Sequence, residues 1–417
     1  MATHASTRTL AEADRKRTGD PGYVARQPIL DQRGKVHGYE LLFWGGGEPK
    51  AKVDGEPASS AVLDAASIFG LDELRCGLPA FVHCSLDSLT GDWLQHLPPR
   101  TTVLELPSGG QVPPGVPAAL SKLKAAGFRL ALEDFAGEPE SWSLAALADY
   151  IKVDIARVNA DTRRNLFRRL EGSKAYAVAT NVETQEQYAE ACQDGFGLFQ
   201  GYYFCRPEPV KNHRIPGNRL VHLEILEDLQ NDPVDMHRLS QLVMCDADLT
   251  FRLLRFVNSP LFAIHQEVAS IQMALNLVGE ATFRRIAMLA IASDFNTGQP
   301  AEILRMAFER ARFCELAGGL CGLPPGEQYL IGMVSLFPAM LRILMEDLLP
   351  LLPLRAAACD ALLGKPNPEG VLLRWRQCEE HGDWAACDEI VRSAGMDHGQ
   401  VMHCHAEALA WASTALN

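Results

Sequence analysis

Eight short apolar runs, alternating with helical patterns, constrain the fold of the first half of the chain more than any other feature. Each run is short enough for a buried strand and is bounded by turn residues or by a helical pattern. Eight strands with interleaved helices in under about 200 residues favour a closed (β/α) barrel over an open sheet. The predicted strands are Tyr23–Ile29, Val36–Phe43, Ala80–Ser85, Thr102–Leu106, Arg129–Glu133, Tyr150–Val153, Ala175–Thr180 and Gly197–Gln200.

Helix start and stop residues support this alternation. Pro117 suits the first position of a helix, where its missing N–H costs nothing, and Gly127 suits the end of that helix. Thr184 is predicted as an N-cap, because its hydroxyl can accept a hydrogen bond from the first turn. The predicted helices between the strands are Ser60–Leu71, Pro117–Ala126, Thr162–Leu170 and Thr184–Asp194.

Polar side chains recur where the predicted strands end. The run Arg129–Phe135 ends in two adjacent carboxylates, and barrel enzymes place their chemistry at that end of the strands. Converging on one mouth, these side chains would form a carboxylate-rich metal pocket suited to phosphate chemistry, because hard divalent cations prefer oxygen ligands. A solvated pair of loop acids is the alternative interpretation. The residues are Glu40, Ser85, Glu105, Glu133, Asp134, Lys152, Asp154, Glu183 and Gln200.

An ordered set of motifs makes residues 20–209 resemble the EAL family. The resemblance implies a barrel with an antiparallel first strand, and a phosphodiesterase that cuts cyclic di-GMP to the linear dinucleotide with magnesium or manganese. It also implies that Glu40 and Glu105 bind metal and that Lys152 holds the nucleophilic water. Asp134, Asp154, Glu183 and Gln200 match further family positions. The motifs are Gln27–Ile29, Gly38–Leu42, Glu105–Leu106, Glu133–Phe135, Ile151–Asp154, Val182–Thr184 and Gln200–Tyr203.

Four positions depart from the family pattern. Trp44 stands where the family has an arginine that grips phosphate, and His83 where it has a metal-binding asparagine. Glu133 replaces an aspartate and carries one extra methylene. Thr180 replaces a glutamate, and its hydroxyl can neither accept a proton at neutral pH nor attract a cation as a carboxylate does.

These departures predict a protein without efficient phosphodiesterase activity. The remaining residues then form a remnant of the family site, with Lys152 vestigial, and Glu40 and Glu105 are expected to pair with Lys152. No cofactor is expected unless the site is functional, in which case it would take Mg²⁺ or Mn²⁺. Two alternatives remain open: a cyclic di-GMP receptor that does not hydrolyse its ligand, and a weakly active metal-dependent phosphodiesterase.

The second half of the chain is predicted to be helical. A polar segment at 210–218 reads as a linker, and helices are expected at Met236–Cys245, from Asp246 to Val257, and at Ile271–Val278, where Ser270 is the N-cap and Gly279 the stop. The stretches Asp246–Pro260 and Ser270–Gly279 resemble the HDOD domain, a helical relative of HD phosphohydrolases without their metal ligands. The region resembling it covers about residues 215–417.

Metal binding is not expected in this half. The segment Gly332–Phe337 lacks the His-Asp pair of the active relatives. His381, Asp383, His403 and His405 offer ligand atoms, but His403 and His405 would point about 200° apart on a helix. A helical module without catalytic residues is expected to present surfaces to protein partners.

Composition argues against several kinds of ligand and of structural site. A net charge of −13 argues against binding of DNA or acidic membranes. The 11 cysteines form no CxxC pair, so neither a zinc site nor a disulfide framework is indicated. Residues 1–20 are predicted to be a disordered tail, and the apolar stretch from Tyr329 to Leu354 is too interrupted to span a bilayer and is predicted to be buried helix.

The sequence therefore predicts a bacterial cytoplasmic signalling protein with an α/β barrel at 21–209 and an all-α domain at 219–417. It is expected to act in cyclic di-GMP-related pathways by binding other proteins through the helical domain. Cyclic di-GMP is a further candidate ligand, and the EAL resemblance implies a homodimer.

Overall fold

The computed structural model describes residues 23–44, 74–109, 112–206, 217–228, 235–258, 268–352 and 354–416. Its first half is a closed barrel of eight strands in sequence order. β1 pairs antiparallel with β2 and β8, and the other neighbours are parallel. The strands are β1 (Tyr23–Asp31), β2 (Val36–Trp44), β3 (Ala80–His83), β4 (Thr102–Pro107), β5 (Arg129–Glu133), β6 (Tyr150–Asp154), β7 (Tyr176–Thr180) and β8 (Leu198–Gln200).

The eight predicted strands and the antiparallel first strand are confirmed, with ends that shift by two residues at most. The predicted helix Ser60–Leu71 and the predicted tail 1–20 lie outside the described residues, as does most of the predicted linker. Around the barrel lie the helices α1 (Val116–Ala126), α2 (Trp142–Ala145), α3 (Ala160–Leu170) and α4 (Gln185–Asp194).

Local capping explains where these helices begin and end. Gly127 ends α1 with a φ of 104°, a left-handed conformation that glycine adopts without strain. Thr184 caps α4 in a reciprocal box, in which its side chain accepts from the backbone of Gln187 and the Gln187 side chain accepts from the backbone of Thr184. The N-cap predicted at Thr184 is therefore confirmed.

The period of two along each strand builds the barrel interior in layers. The lower layer is an apolar cluster of Ile29, Phe81, Val103, Ala131, Tyr150, Val178 and Leu198. A residue two positions away on the same strand points into the same interior. The layer above is therefore polar, and it contains Gln27, Glu40, His83, Glu105, Glu133, Lys152, Thr180 and Gln200.

The described part of the second half is helical. Ser270 accepts a hydrogen bond from the backbone N–H of Met273, so the predicted N-cap is confirmed, and Asp246 caps α7 in the same way by accepting from the backbone N–H of Leu249. The helices are α5 (Gly217–Asp228), α6 (Met236–Met244), α7 (Ala247–Val257), α8 (Ile271–Phe295), α9 (Ala301–Gly318), α10 (Pro325–Val334), α11 (Phe337–Leu341), α12 (Met345–Leu348), α13 (Ala356–Leu362), α14 (Val371–Glu380), α15 (Trp384–Ser393) and α16 (His398–Leu416).

Two details of this half refine the predictions. Gly279 has a non-helical φ of 74° and ψ of 167°, so the predicted stop is confirmed, and α8 consists of two helical segments that meet at this residue. The stretch Tyr329–Leu354 is not one buried helix but several short ones, because Pro338 begins a new turn and Arg342 adopts a left-handed φ of 56°. Among the described helices none is long and apolar enough by itself to cross a membrane, and only the pair Pro325–Leu341 and Met345–Leu351, bent by 108°, passes that test.

The two halves share an interior. One apolar cluster contains barrel residues together with Phe313 and Trp375, whose rings stack at 4.7 Å. Beside it lies a buried group of charged residues, the junction cluster, which consists of Arg26, Glu302, Glu309, Arg310, Arg376, Glu379 and Glu380. Arg26 of β1 pairs with Glu309 of α9, and the Tyr39 hydroxyl of β2 donates to Glu302 at 2.7 Å. Side chains of β1 and β2 thus bond directly to side chains of α9.

Gly332 permits the close approach of α9 and α10. A Cβ atom at this position would lie 2.6 Å from the carbonyl oxygen of Arg310 and 2.7 Å from the backbone nitrogen of Ala311. Gly332→Ala is therefore expected to lower the free energy of unfolding by about 1–3 kcal/mol, the usual cost of overpacking. Gly326→Ala on the same helix, where a Cβ would meet nothing within 4 Å, is the control. Equal urea midpoints for the two variants would contradict the prediction.

Candidate functional site

Three predicted site residues meet inside the barrel mouth. The ammonium group of Lys152 on β6 donates to Glu40 on β2 at 2.5 Å and to Glu105 on β4 at 2.7 Å. The side-chain amide of Gln200 on β8 also donates to Glu40. The Lys152 side chain is 4% exposed and that of Glu105 is fully buried, so these contacts are made away from bulk water.

Burial shapes the electrostatics of this group. Desolvation, reinforced by the carboxylates of Glu40 and Glu133, raises the pKa of Glu105 well above its ordinary value. Burial opposes the charged form of Lys152, but the carboxylates of Glu105, Glu40 and Glu133 outweigh it and raise the pKa of Lys152. The ammonium group therefore stays charged and offsets part of the negative charge of three glutamates.

The same three glutamates have the geometry of a cation site. Ligand oxygens of Glu40, Glu105 and Glu133 lie within 4.8 Å of one another, and this is the group with metal-site geometry among the described residues. The second carboxylate oxygen of Glu105, Oε2, is buried and has no hydrogen-bond partner among them. A buried oxygen of this kind, in an all-oxygen donor set, fits Mg²⁺ or Mn²⁺.

His83 lies beside this cluster at the end of β3. Its Nδ1 atom is 3.1 Å from Oε1 of Glu133. His83 therefore contacts the third carboxylate of the cluster.

Three other predicted acids line the mouth without joining the cluster. Asp134 has a left-handed φ of 49°, and its side chain is half exposed at 3.9 Å from Arg157. Asp154 accepts from the side-chain amide of Asn181 at 2.8 Å. Glu183 pairs with Arg206 on the exposed rim. The structure thus divides the predicted acids into the buried glutamate cluster, a buried Asp154 bonded to Asn181, and an exposed rim formed by Asp134 and Glu183.

Thr180 ends β7 and lines the same mouth, nearly buried. This strand end therefore brings a hydroxyl group, and no carboxylate, to the mouth. The backbone of Trp44 ends β2, and its side chain lies outside the described residues.

Two adjoining cavities open at this mouth. One encloses about 300 Å³ and the other about 500 Å³. Both are lined by Glu133, Asp134, Asp154 and Arg157, so they form one groove across the barrel end. Their combined size lies in the range of small-molecule sites.

The sequence patterns did not identify Tyr202 and His381 as members of this groove. Tyr202 follows β8, and its ring stacks on that of His381 with centroids 4.0 Å apart and an interplanar angle of 13°. His381 lies 181 positions after Gln200, in the turn after α14, so only the packing of the two halves brings it here. His403 is exposed, whereas His405 is buried and accepts from Arg376, so the candidate histidines of the second half do not converge.

Comparison with known proteins identifies the helical domain of the second half. Residues 215–335 match the model of the HDOD domain. The cyclic di-GMP phosphodiesterase CdgJ of Vibrio cholerae is 30% identical over 397 residues, covering 93% of this chain and 92% of CdgJ. An uncharacterized protein of Bacillus subtilis, YuxH, is 29% identical over 400 residues, covering 93% of this chain and 97% of YuxH.

Among solved structures, the calcium and cyclic di-GMP complex of BlrP1 from Klebsiella pneumoniae matches with 23% identity and a TM-score of 0.38. That match covers 45% of this chain and 55% of the BlrP1 chain, and a TM-score this low supports no residue-by-residue correspondence. The identity to CdgJ over nearly the whole length of both chains carries more weight. The chain therefore belongs to the same protein family as CdgJ, and it combines a barrel of the EAL type with an HDOD domain.

Proposed function

We propose that this protein is a non-catalytic signalling protein of a cyclic di-GMP pathway. Its barrel mouth binds the nucleotide without cleaving it, and its HDOD half binds protein partners. One observation carries the proposal: the three-glutamate cluster keeps a buried carboxylate oxygen without a partner, while Thr180 occupies the strand end where a carboxylate is needed. The glutamate cluster can still bind a cation, whereas Thr180 cannot act as a base.

Charge decides how such a ligand would bind. Cyclic di-GMP carries two phosphodiester charges, and the 300 Å³ cavity is lined by five carboxylates against the two cations Lys152 and Arg157, so direct contact would be repulsive. A divalent cation held by Glu40, Glu105 and Glu133 would offset that repulsion and attract a phosphate oxygen. The exposed guanidinium group of Arg157 at the rim supplies a second positive charge.

Cleavage is disfavoured because β7 ends in Thr180, a hydroxyl, rather than in a carboxylate that could act as the base. Hydrolysis of a phosphodiester needs a base within hydrogen-bond reach of the attacking water. The hydroxyl of Thr180 cannot serve, and Asp154 is already engaged by Asn181 and by the backbone of Ala156. Lys152 remains charged and donates to two glutamates. We therefore expect bound nucleotide to be recovered intact.

A ligand-free scaffold is the second candidate, and the position of Lys152 favours it. The ammonium group already contacts two of the three glutamates and serves as a built-in cation. In that case the barrel binds no nucleotide and serves only to support the HDOD half, which binds the protein partners. A third outcome is weak hydrolysis, since the relative CdgJ is named as a cyclic di-GMP phosphodiesterase. The domain limits of 21–209 and 219–417, the homodimer and the cytoplasmic location stay predictions.

Isothermal titration with cyclic di-GMP, in Mn²⁺ and in EDTA, separates the candidates when the recovered nucleotide is then analysed by chromatography. We expect binding that needs Mn²⁺, with intact nucleotide afterwards. Glu105→Gln should weaken binding at least about tenfold, because a buried ligand charge is lost, which corresponds to about 1.4 kcal/mol or more. Glu389→Gln, on an exposed surface pair, is the matched control. Recovery of the linear dinucleotide would show that the protein is an enzyme. Absence of a heat of binding would favour the ligand-free scaffold.

A further inference from the structure

We propose that His381 of the HDOD half is part of the nucleotide site, and that its imidazole ring is a stacking surface for a purine base. The barrel mouth is then a two-domain site rather than a property of the barrel alone. This inference rests on the proposed binding of cyclic di-GMP at the mouth. It concerns a residue that lies far from every EAL motif of the sequence.

His381 has the position and exposure for this role. It lines the 300 Å³ cavity together with Tyr202, Glu40 and Lys152. One face of its ring is covered by Tyr202 at 4.0 Å, and the residue as a whole is exposed. Its Nδ1 atom lies 2.6 Å from the carbonyl oxygen of Gln377, and that bond fixes the orientation of the ring. A flat aromatic stack, with one ring exposed, therefore stands at the edge of the groove.

The turn that carries His381 is held from several directions. The Tyr202 hydroxyl donates to Glu380 at 2.9 Å, and Arg310 of α9 donates to both carboxylate oxygens of Glu380 at 2.9 and 2.6 Å. Gln27 of β1 donates to the backbone carbonyl oxygen of Glu380 at 3.2 Å. The stacking surface is thus organised before any ligand arrives, which lowers the entropy cost of binding.

The turn also fits closely against the barrel. Gly382 has a left-handed φ of 71°, and a Cβ there would lie 3.1 Å from a side-chain carbon of Leu42 on β2. Glycine therefore permits both the turn and its contact with the strand that carries Glu40.

The chemistry of the groove selects the class of ligand. A cation-holding carboxylate cluster suits a phosphate, and an aromatic surface beside it suits a base, because bases stack on aromatic rings irrespective of their sequence. A purine nucleotide offers both groups at once. His381 directly follows α14, which carries Arg376 and Glu379 of the junction cluster. A base stacked on His381 would therefore contact the end of that helix.

Titration of cyclic di-GMP with Mn²⁺ into four full-length proteins tests the inference. His381→Ala should weaken binding about 5- to 100-fold, the range expected for loss of one stacked base. His381→Phe keeps an aromatic face and should bind within about threefold of the natural protein. His403→Ala removes an exposed histidine of α16 and should change nothing. Hydrogen exchange should slow across residues 371–393 when the natural protein binds nucleotide.

The outcomes separate this inference from the function on which it rests. If the natural protein and His381→Ala bind cyclic di-GMP equally well, the Tyr202–His381 stack serves only the packing of the two halves. The inference is then wrong, and the proposed function stands. If the natural protein does not bind, both fail. Loss of binding in the alanine and phenylalanine variants alike would also contradict stacking. Urea midpoints should change little, because His381 is exposed apart from its stack on Tyr202 and its bond to Gln377.

Discussion

Arg310→Met is expected to lower the free energy of unfolding by about 3–5 kcal/mol, because it leaves the buried carboxylate of Glu380 without its principal partner. Arg310 and Glu380 form a two-bond ion pair at the junction, and their side chains are 5% and 6% exposed. Tyr202 is the other side chain that donates a short bond to Glu380. Removing the guanidinium group therefore destabilises the contact between α9 and the end of α14, where Glu380 also bonds Tyr202 of the barrel.

The pH dependence of this loss has a definite sign. Burial alone would raise the pKa of Glu380, but Arg310 and Arg376 outweigh it and hold that pKa below its ordinary value of 4.5. A carboxyl group with a lowered pKa adds stability above its ordinary pKa and loses it as the pH falls. The difference between Arg310→Met and the natural protein should therefore be largest near neutral pH and should shrink below about pH 4.5.

Urea unfolding at pH 7 and pH 4 measures the effect. Arg392→Met, which breaks an exposed pair with Glu389, is the control and should change stability by less than about 1 kcal/mol. The double variant Arg310→Met with Glu380→Gln should recover part of the loss, because the buried charge is gone. A cost no larger than that of Arg392→Met at both pH values would mean that the junction does not depend on this pair.

The barrel could be predicted because its signals are local. Each strand is a short apolar run, and the cap of α4 at Thr184 pairs with Gln187 three positions away. The period of two then places Glu105, Lys152 and Gln200 on one interior surface. The buried half of the candidate site follows from those patterns alone.

The junction could not be predicted in this way, because its partners are distant in sequence. Arg26 and Glu309 are 283 positions apart, and no periodicity links them. For the same reason His381 stood out only as one of several histidines, and its place at the mouth depends on how the two halves pack. Asp134 adjoins Glu133 in sequence and lines the same groove, but its left-handed backbone places it on the exposed rim rather than in the glutamate cluster.

Lys152→Met should be the most informative substitution in the mouth. It leaves Glu40 and Glu105 buried without their shared cation, so the expected loss of unfolding free energy is about 3–5 kcal/mol at pH 8. Lys365→Met, on an exposed pair with Asp360, is the control and should cost less than about 1 kcal/mol. Because the pKa of Glu105 is already raised by burial, Glu105→Gln in the same chain should restore much of the loss.

Adding Mn²⁺ to Lys152→Met decides between the two leading functions. If Glu40, Glu105 and Glu133 bind a divalent cation, Mn²⁺ should raise the thermal midpoint of Lys152→Met more than that of the natural protein, because the competing ammonium group is absent. The additional substitution Glu105→Gln should abolish that gain. If Mn²⁺ stabilises neither protein, the cluster does not hold the ion, and Lys152 itself is the cation of a ligand-free scaffold. The same titration therefore tests the receptor function without measuring activity.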